Sequence, residues 1–352
     1  MPNWTASMQQ TFEYYIVDPG TWADKELINS VKSCEISRDL EAETLGSATI
    51  DVVGSIDECY IRVYLITIQN GVRERHSLGT FLVQTPSASS DGKTKIVSMD
   101  AYTPLMELKE KSPALGYSRL KGNNIMSIVY SLTDENVRAP VVKTSHDKTL
   151  YDDFVASTDD TWLSFLTDLM ANAKYEFGLD EMGRVLFLPK QEIAALQPVW
   201  TYTDDNSSIL YPDLEMGHDL YGIPNVVEVI YSNSSSYFYA KAVNDDPNSP
   251  TSTVSRGREI LHRIMDPDLS GDPTENQIKE YAEQMLRDLS SIEYTVTYTH
   301  GYCPVRLGDG VRLNYSRAGL TNVNAKVISQ SIKCEPGCPV TEKAVFTKKL
   351  WR

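Results

Sequence analysis

The chain lacks any run of about 18 apolar residues, so no segment reads as a membrane-spanning helix. Met1 to Asp18 carries neither a basic start nor a continuous apolar stretch, which argues against a secretory signal and for synthesis and assembly in a cytoplasm. It is also short of positive charge. With 33 Lys and Arg against 48 Asp and Glu, the net charge is −15, the wrong sign for a protein that grips nucleic acid by neutralising phosphates. Stable binding to DNA is not expected. Catalytic signatures are missing too: there is no Gly-x-Ser-x-Gly elbow, no His-Glu-x-x-His helix and no Gly-x-x-x-x-Gly-Lys phosphate loop.

The five cysteines, Cys34, Cys59, Cys303, Cys334 and Cys338, are odd in number and scattered, a pattern of reduced thiols rather than a disulfide framework. Cys334 and Cys338 flank Glu-Pro-Gly at a spacing that could supply half a zinc site. The second half is missing, since Cys303 has no close companion and His76, His146, His218, His262 and His300 are not spaced as ligands. A β-turn at Pro336-Gly337 explains the same residues, so no metal or cofactor is expected. Three other candidates have plainer readings. Asp266, Asp268, Asp272 and Glu275 are interrupted by prolines and fail the calcium-loop pattern, so Asp272 and Thr274 are read as helix caps. Asp159-Asp160 and Asp204-Asp205 are adjacent in sequence, which is no sign of two acids facing each other across a cleft. Gly308-Asp-Gly310 reads as a tight turn. No catalytic, cofactor-binding or metal residue is assigned.

What the sequence does have is strands. Cys34, Ile36 and Arg38 alternate with polar neighbours, and Ser47 to Val53 and Cys59 to Ile68 are β-branched and aromatic runs. Asn70-Gly71 marks a hairpin. A strand from Gly79 is expected to stop at Pro86, with a turn over Ser87 to Gly92 and a return strand at Lys95 to Ala101. Thr103-Pro104 then starts a helix, Asn124 to Leu132 predicts a second, and Trp162, Phe165, Leu166, Leu169, Met170 and Ala173 form the stripe of a third, capped by Ser157 or Thr158. A hairpin follows over Tyr175 to Leu188. Strands resume near Val199, with Asn225 to Tyr231 and Tyr237 to Val243 joined by a turn at Ser232 to Ser236. Asp245 to Thr253 reads as an exposed loop. A helix with Ile278, Ala282, Met285 and Leu289 inward precedes strands at Tyr294 to Thr299, Gly310 to Leu313, Asn324 to Lys333 and Val340 to Thr347. The fold class is α+β and β-rich: a first antiparallel β-domain over 1–102, an α+β middle segment over 103–198, and a second β-domain over 199–352 with a helical insertion at about 266–290. Twenty tyrosines against eight phenylalanines suit half-wet subunit contacts and suit strands equally well.

Four segments together resemble the tail hub proteins of tailed phages and prophages. They are Ser33 to Leu40 with Gly46 to Asp51 and the hairpin Tyr60 to Val83; Val97 to Tyr102 leading into Pro104-Leu105; Asp160 to Leu166 through Gly183 to Leu188; and Asn225 to Val229 with the helix around Glu280 to Leu289 and Val305 to Val311. The resemblance implies two tube-like β-barrel domains per chain and a homotrimer of pseudo-sixfold symmetry. Such a hub joins the tail tube or distal tail protein to the tail spike or tip protein, with the tape measure protein as a further partner, in the virion tail tip. It also implies a channel through which DNA passes. Three copies carry about −45, and an acidic wall would let phosphates slide without sticking. Some members carry a cell-wall hydrolase, for which this chain shows no motif; the alternative reading is a carbohydrate-binding or peptidoglycan-degrading tail-tip protein.

Overall fold

In a computed structural model of the chain, residues 2–90, 95–218, 220–232, 237–265, 267 and 273–349 are described. Two compact units emerge, Met1–Leu214 with Tyr298–Lys343, and Glu215–Thr297 with Ala344–Arg352.

The first unit opens with β1 (Gln9–Val17), β2 (Asp24–Leu27), β3 (Val31–Asp39), β4 (Gly46–Val53), β5 (Tyr60–Gln69), β6 (Val72–Ser90) and β7 (Lys95–Tyr102). Alternation sets their faces. In β4, Ala48, Ile50 and Val52 are buried while Thr49 and Val53 are exposed. These side chains meet Ile36, Ile61, Val63, Leu65, Phe81 and Met99 in one core. Each pair from β3 to β7 and from β1 to β6 is antiparallel. Asn70 and Gly71 both have positive φ, which closes the β5–β6 hairpin as their sequence anticipates.

β6 departs from expectation by running through Pro86 to Ser90. Its pairing with β5 ends at Leu82, opposite Tyr60, while its pairing with β7 continues from Leu82 to Ser90. Proline therefore falls on a stretch bonded on one side only, where a missing N–H costs no ladder bond. Ser87 to Ser90 are strand rather than turn; Asp91 and Gly92 lie outside the described residues.

The middle segment contains α1 (Met106–Lys109), β8 (Ser118–Arg119), α2 (Ile125–Asn136), β9 (Phe154–Val155), α3 (Trp162–Ala171), β10 (Tyr175–Leu179) and β11 (Val185–Pro189). Leu105, Leu108, Met126, Val129, Leu166 and Leu169 are fully buried together with the paired strands β10 and β11. Thr161, not Ser157 or Thr158, caps α3: its Oγ1 accepts the Ser164 N–H at 3.2 Å, and Ser164 Oγ accepts the Thr161 N–H at 3.0 Å. Ser157 sits four residues earlier, where its own N–H donates to Asp160.

β12 (Pro198–Thr203) and β13 (Leu210–His218) follow. In the second unit, β14 (Val226–Ser232) pairs antiparallel with β15 (Tyr237–Val243), and after α4 (Thr253–Arg256), β16 (Leu261–Met265) adds in parallel on the other side of β14. The residues 233–236, expected to turn, are outside those described. α5 (Glu275–Leu289) buries Ile278, Ala282 and Leu286 on Val227, Val229, Ala240 and Ala242; Met285 and Leu289 pack at the margin. Thr274 caps it, in a capping box with Gln277. The stretch at 245–253 is not simply an exposed loop. Asn244, Ser249, Thr251 and Ser252 are buried and bonded to one another, with Asn244 Nδ2 donating to Ser249 Oγ at 3.0 Å, and Thr253 opens α4.

The remaining strands are β17 (Ser291–Gly301), β18 (Gly310–Tyr315), β19 (Leu320–Lys333) and β20 (Pro339–Lys349). β19 pairs with β20 and is long enough to serve two further partners. Leu320 to Lys326 pairs with β18, which in turn pairs in parallel with β12, and Ser329 to Lys333 pairs antiparallel with β3. Strands from the two ends of the chain thus belong to one sheet. The architecture is β-rich α+β, built mainly from antiparallel sheet.

Candidate functional site

The residues weighed in the sequence take structural places. Cys334 and Cys338 flank a tight turn in which Gly337 and Cys338 have positive φ and the Cys338 N–H donates to Glu335 at 2.8 Å. Asp160 accepts from the Ser157 N–H and from Ser164 Oγ, and Asp204 accepts from Ser316 Oγ at 2.8 Å. Asp205 accepts from Ser207. The hydrogen bonds hold the carboxyls of Asp204 and Asp205 below their usual range. Asp266, Asp268 and Asp272 lie outside the described residues, so the capping assigned to Asp272 does too. At Gly308 to Gly310, Asp309 accepts the Arg306 N–H at 2.8 Å, and a Cβ on Gly310 would lie 2.9 Å from Leu196 Cβ. Glycine is needed there for close approach of chain to chain. Among the described residues, no three His, Cys, Asp or Glu converge as a metal set.

The chemistry-bearing cluster is one that motif reading passed over. In the first unit, β17 and β20 are neighbours, and alternation turns Tyr298 and His300 inward from one and Glu342 from the other. Tyr298 Oη donates to Glu342 Oε1 in a short bond. Gln330 Nε2 donates to Glu342 Oε2 at 2.8 Å and to the Val305 carbonyl at 3.0 Å. His300 Nε2 lies 3.4 Å from Glu342 Oε2 and 3.0 Å from Tyr202 Oη, and its Nδ1 lies 2.7 Å from the Gly301 carbonyl. Tyr202 Oη also reaches Cys303 Sγ at 3.3 Å. Burial pushes the His300 pKa down, but hydrogen bonds to Cys303 and Glu342 and the charge of Glu342 outweigh it and hold the imidazolium up to about 10. Burial, then the Glu342 charge, raises Tyr202 and Tyr298 well above the ordinary phenol value. Histidine, thiol, carboxylate and phenol together would suit acid–base work. Every one of these residues is at most 2% exposed, so no substrate touches them. The cluster is a buried ion pair with its lone pairs satisfied, which specifies how β12, β17, β19 and β20 pack.

A second polar centre ties the β10–β11 turn to the first β-domain. The Arg62 guanidinium, 1% exposed, donates to Asp24, Thr80 and the carbonyls of Trp22 and Met182, and the Trp22 indole N–H also donates to Met182 at 2.8 Å. Gly183 follows with φ of 76°, and a Cβ there would lie 2.7 Å from Thr80 Cβ.

Two stretches of open surface stand out among the described residues. A groove of about 510 Å³ in the first unit is lined by Glu41, Glu43, Asp159, Asp168 and Glu176 against Lys109 and Lys190. In the second unit, the face of the β14–β16 sheet away from α5 presents Tyr237, Tyr239, Leu261 and Met265 to solvent around a Glu228–Arg263 pair. The tyrosines divide accordingly: Tyr14, Tyr60, Tyr64 and Tyr298 are core, and Tyr237 and Tyr239 are surface.

No family model matches the sequence, and no curated protein is similar to it in sequence. The fold is shared nonetheless. The tail protein from Neisseria meningitidis MC58 superposes with a TM-score of 0.63 at 12% identity, covering 97% of this chain and 98% of that one. The 43 kDa tail protein of prophage MuSo2 from Shewanella oneidensis gives 0.61 at 12% identity, over 95% and 98%. A chain of the Francisella PdpA-VgrG complex gives 0.57 at 8% identity, over 97% of this chain and 53% of that one.

Proposed function

We propose that this chain is a structural subunit of a phage-type tail tip, with two tube-like β-domains over 1–102 and 199–352 flanking a middle segment. It assembles as a homotrimeric hub of pseudo-sixfold symmetry, joins the tail tube to the tip, and encircles the channel for DNA. The observation that carries this reading is the fold shared from end to end with two tail proteins, one of them from a prophage. Three further features support it. The polar cluster most suited to catalysis is sealed, which fits a packing role. The chain is strongly acidic, and the open groove of the first unit shares that sign, as a wall that must not hold phosphate requires. The apolar face with Tyr237, Tyr239, Leu261 and Met265 suits contact with another subunit, since aromatic side chains with a polar tip are favoured at such surfaces.

Light scattering on the purified chain, alone and mixed with its tail-tube subunit, tests the assembly. The expected species is about three times 39.5 kDa, with threefold rings by negative-stain imaging. A chain that stays monomeric in both conditions contradicts the hub. Incubation with purified cell walls tests the other class of function: release of soluble muropeptides would overturn the structural reading in favour of a peptidoglycan-degrading protein.

A further inference from the structure

Cys34 on β3 and Cys334 just past β19 come together from opposite ends of the chain. β19 runs antiparallel to β3 with Lys333 opposite Glu35, so one step further sets Cys334 opposite Cys34. The ladder continues to that step, because the Cys334 N–H donates to the Cys34 carbonyl at 2.9 Å. The Tyr14 hydroxyl lies near both thiols, and its pKa is raised by burial first and then by the neighbouring Cys334 and Cys34. Directly opposed residues of an antiparallel pair have Cα atoms about 4.5–5.5 Å apart, within the span that a disulfide bridges. Both cysteines are free thiols; Cys34 is buried and Cys334 half-buried, so a small oxidant reaches the second first. Cys338 is also near but lies inward of the turn and is fully buried.

We propose that Cys34 and Cys334 form a dithiol that closes to a disulfide under oxidising conditions and staples β3 to β19. The oxidant is a low-molecular-weight disulfide such as oxidised glutathione. The Cys334 thiolate attacks one sulfur of that disulfide, its S–S bond breaks, and one glutathione leaves as thiolate. Cys34 then loses its proton to solvent and attacks the Cys334 sulfur of the mixed disulfide, expelling the second glutathione. Two protein thiols are oxidised and one small disulfide is reduced to two thiols. The neighbouring Cys334 thiol and then burial hold the Cys34 thiol well above its ordinary pKa, so the second step is slow at neutral pH and quickens as pH rises. Because the bridge closes a loop of roughly 300 residues, it restricts the unfolded chain strongly.

The test uses the full chain incubated with reduced or oxidised glutathione at about pH 8.5, where more thiol is ionised, followed by alkylation and peptide mapping without reduction. The expected result is one cross-linked species joining the Cys34 and Cys334 peptides, with a thermal midpoint a few degrees above that of the reduced chain. Cys334→Ser should abolish both effects and Cys338→Ser neither. Cys34→Ser repeats the first comparison from the buried side, and if it does not fold, the half-buried Cys334→Ser still decides. A Cys334–Cys338 bridge, two alkylated thiols after oxidation, or a cross-link that lowers the midpoint each overturns the proposal.

Discussion

At the scale of single residues, the His300–Glu342 pair has a large energetic consequence. A buried charge left without its partner costs about 3–5 kcal/mol. Glu342→Gln keeps an acceptor for Tyr298 but removes the charge that holds His300 protonated, and it turns an amide toward the donors of Gln330 and His300. The expected loss is about 3 kcal/mol in urea unfolding at pH 6. Its pH dependence has a definite sign. The folded pKa of His300 is raised from 6.5 to about 10, so the stabilisation it brings is complete below about 6.5 and fades as pH climbs toward 10. Wild type should therefore lose stability between about pH 7 and pH 9, while the Gln variant should be nearly flat there. Equal slopes would show that the pair does not contribute as argued. The cluster was partly legible in the sequence. Val296, Tyr298 and His300 alternate as one strand face, and so do Val340, Glu342 and Ala344, which marks His300 and Glu342 as inward polar residues. Their meeting was not legible, because nothing local says which strand β20 lies beside.

At the scale of elements, local rules placed the helices, though the α3 cap fell to Thr161 rather than Ser157 or Thr158, and they slipped where a partner strand decides. α3 and α5 form where their stripes place them, each with a capping box. Leu286 replaces Met285 and Leu289 as the fully buried residue of the last turn, since the sheet under α5 fixes which part of the stripe is central. β6 passes Pro86 because only one side of it is paired there. The β10–β11 turn shows the same dependence on packing. Gly183 has the positive φ that a turn asks for, and in addition has Thr80 and Trp22 against its α-carbon. Gly183→Ala should cost about 1–3 kcal/mol from backbone strain and crowding. Hydrogen exchange should speed up at residues 180–185 more than at β1 or β5. A variant as stable as wild type would mean that the turn shifts freely and that Arg62 and Trp22 do not anchor it.

At the scale of the whole molecule, charge makes the firmest expectation. A chain of net charge −15 repels phosphates as a whole, so electrophoretic mobility assays at about 150 mM salt should show no retained duplex DNA. A retained band would remove the argument for a non-sticking channel. Composition and the periods of 2 and 3.6 by themselves determined that the protein is β-rich, that it carries helices near 125, 162 and 275, and that it is strongly acidic. These are properties of short windows or of simple sums, and they do not depend on what packs against what. Only the tertiary structure decided that β19 divides between β18 and β3, that β16 joins β14 in parallel, that the stretch at 245–253 folds around buried Asn244 and Ser249, and that Cys334 stands opposite Cys34. The physical reason is common to the three strand pairings. A strand offers hydrogen-bonding groups on both edges and specifies a partner only through the burial of side chains contributed by distant parts of the chain.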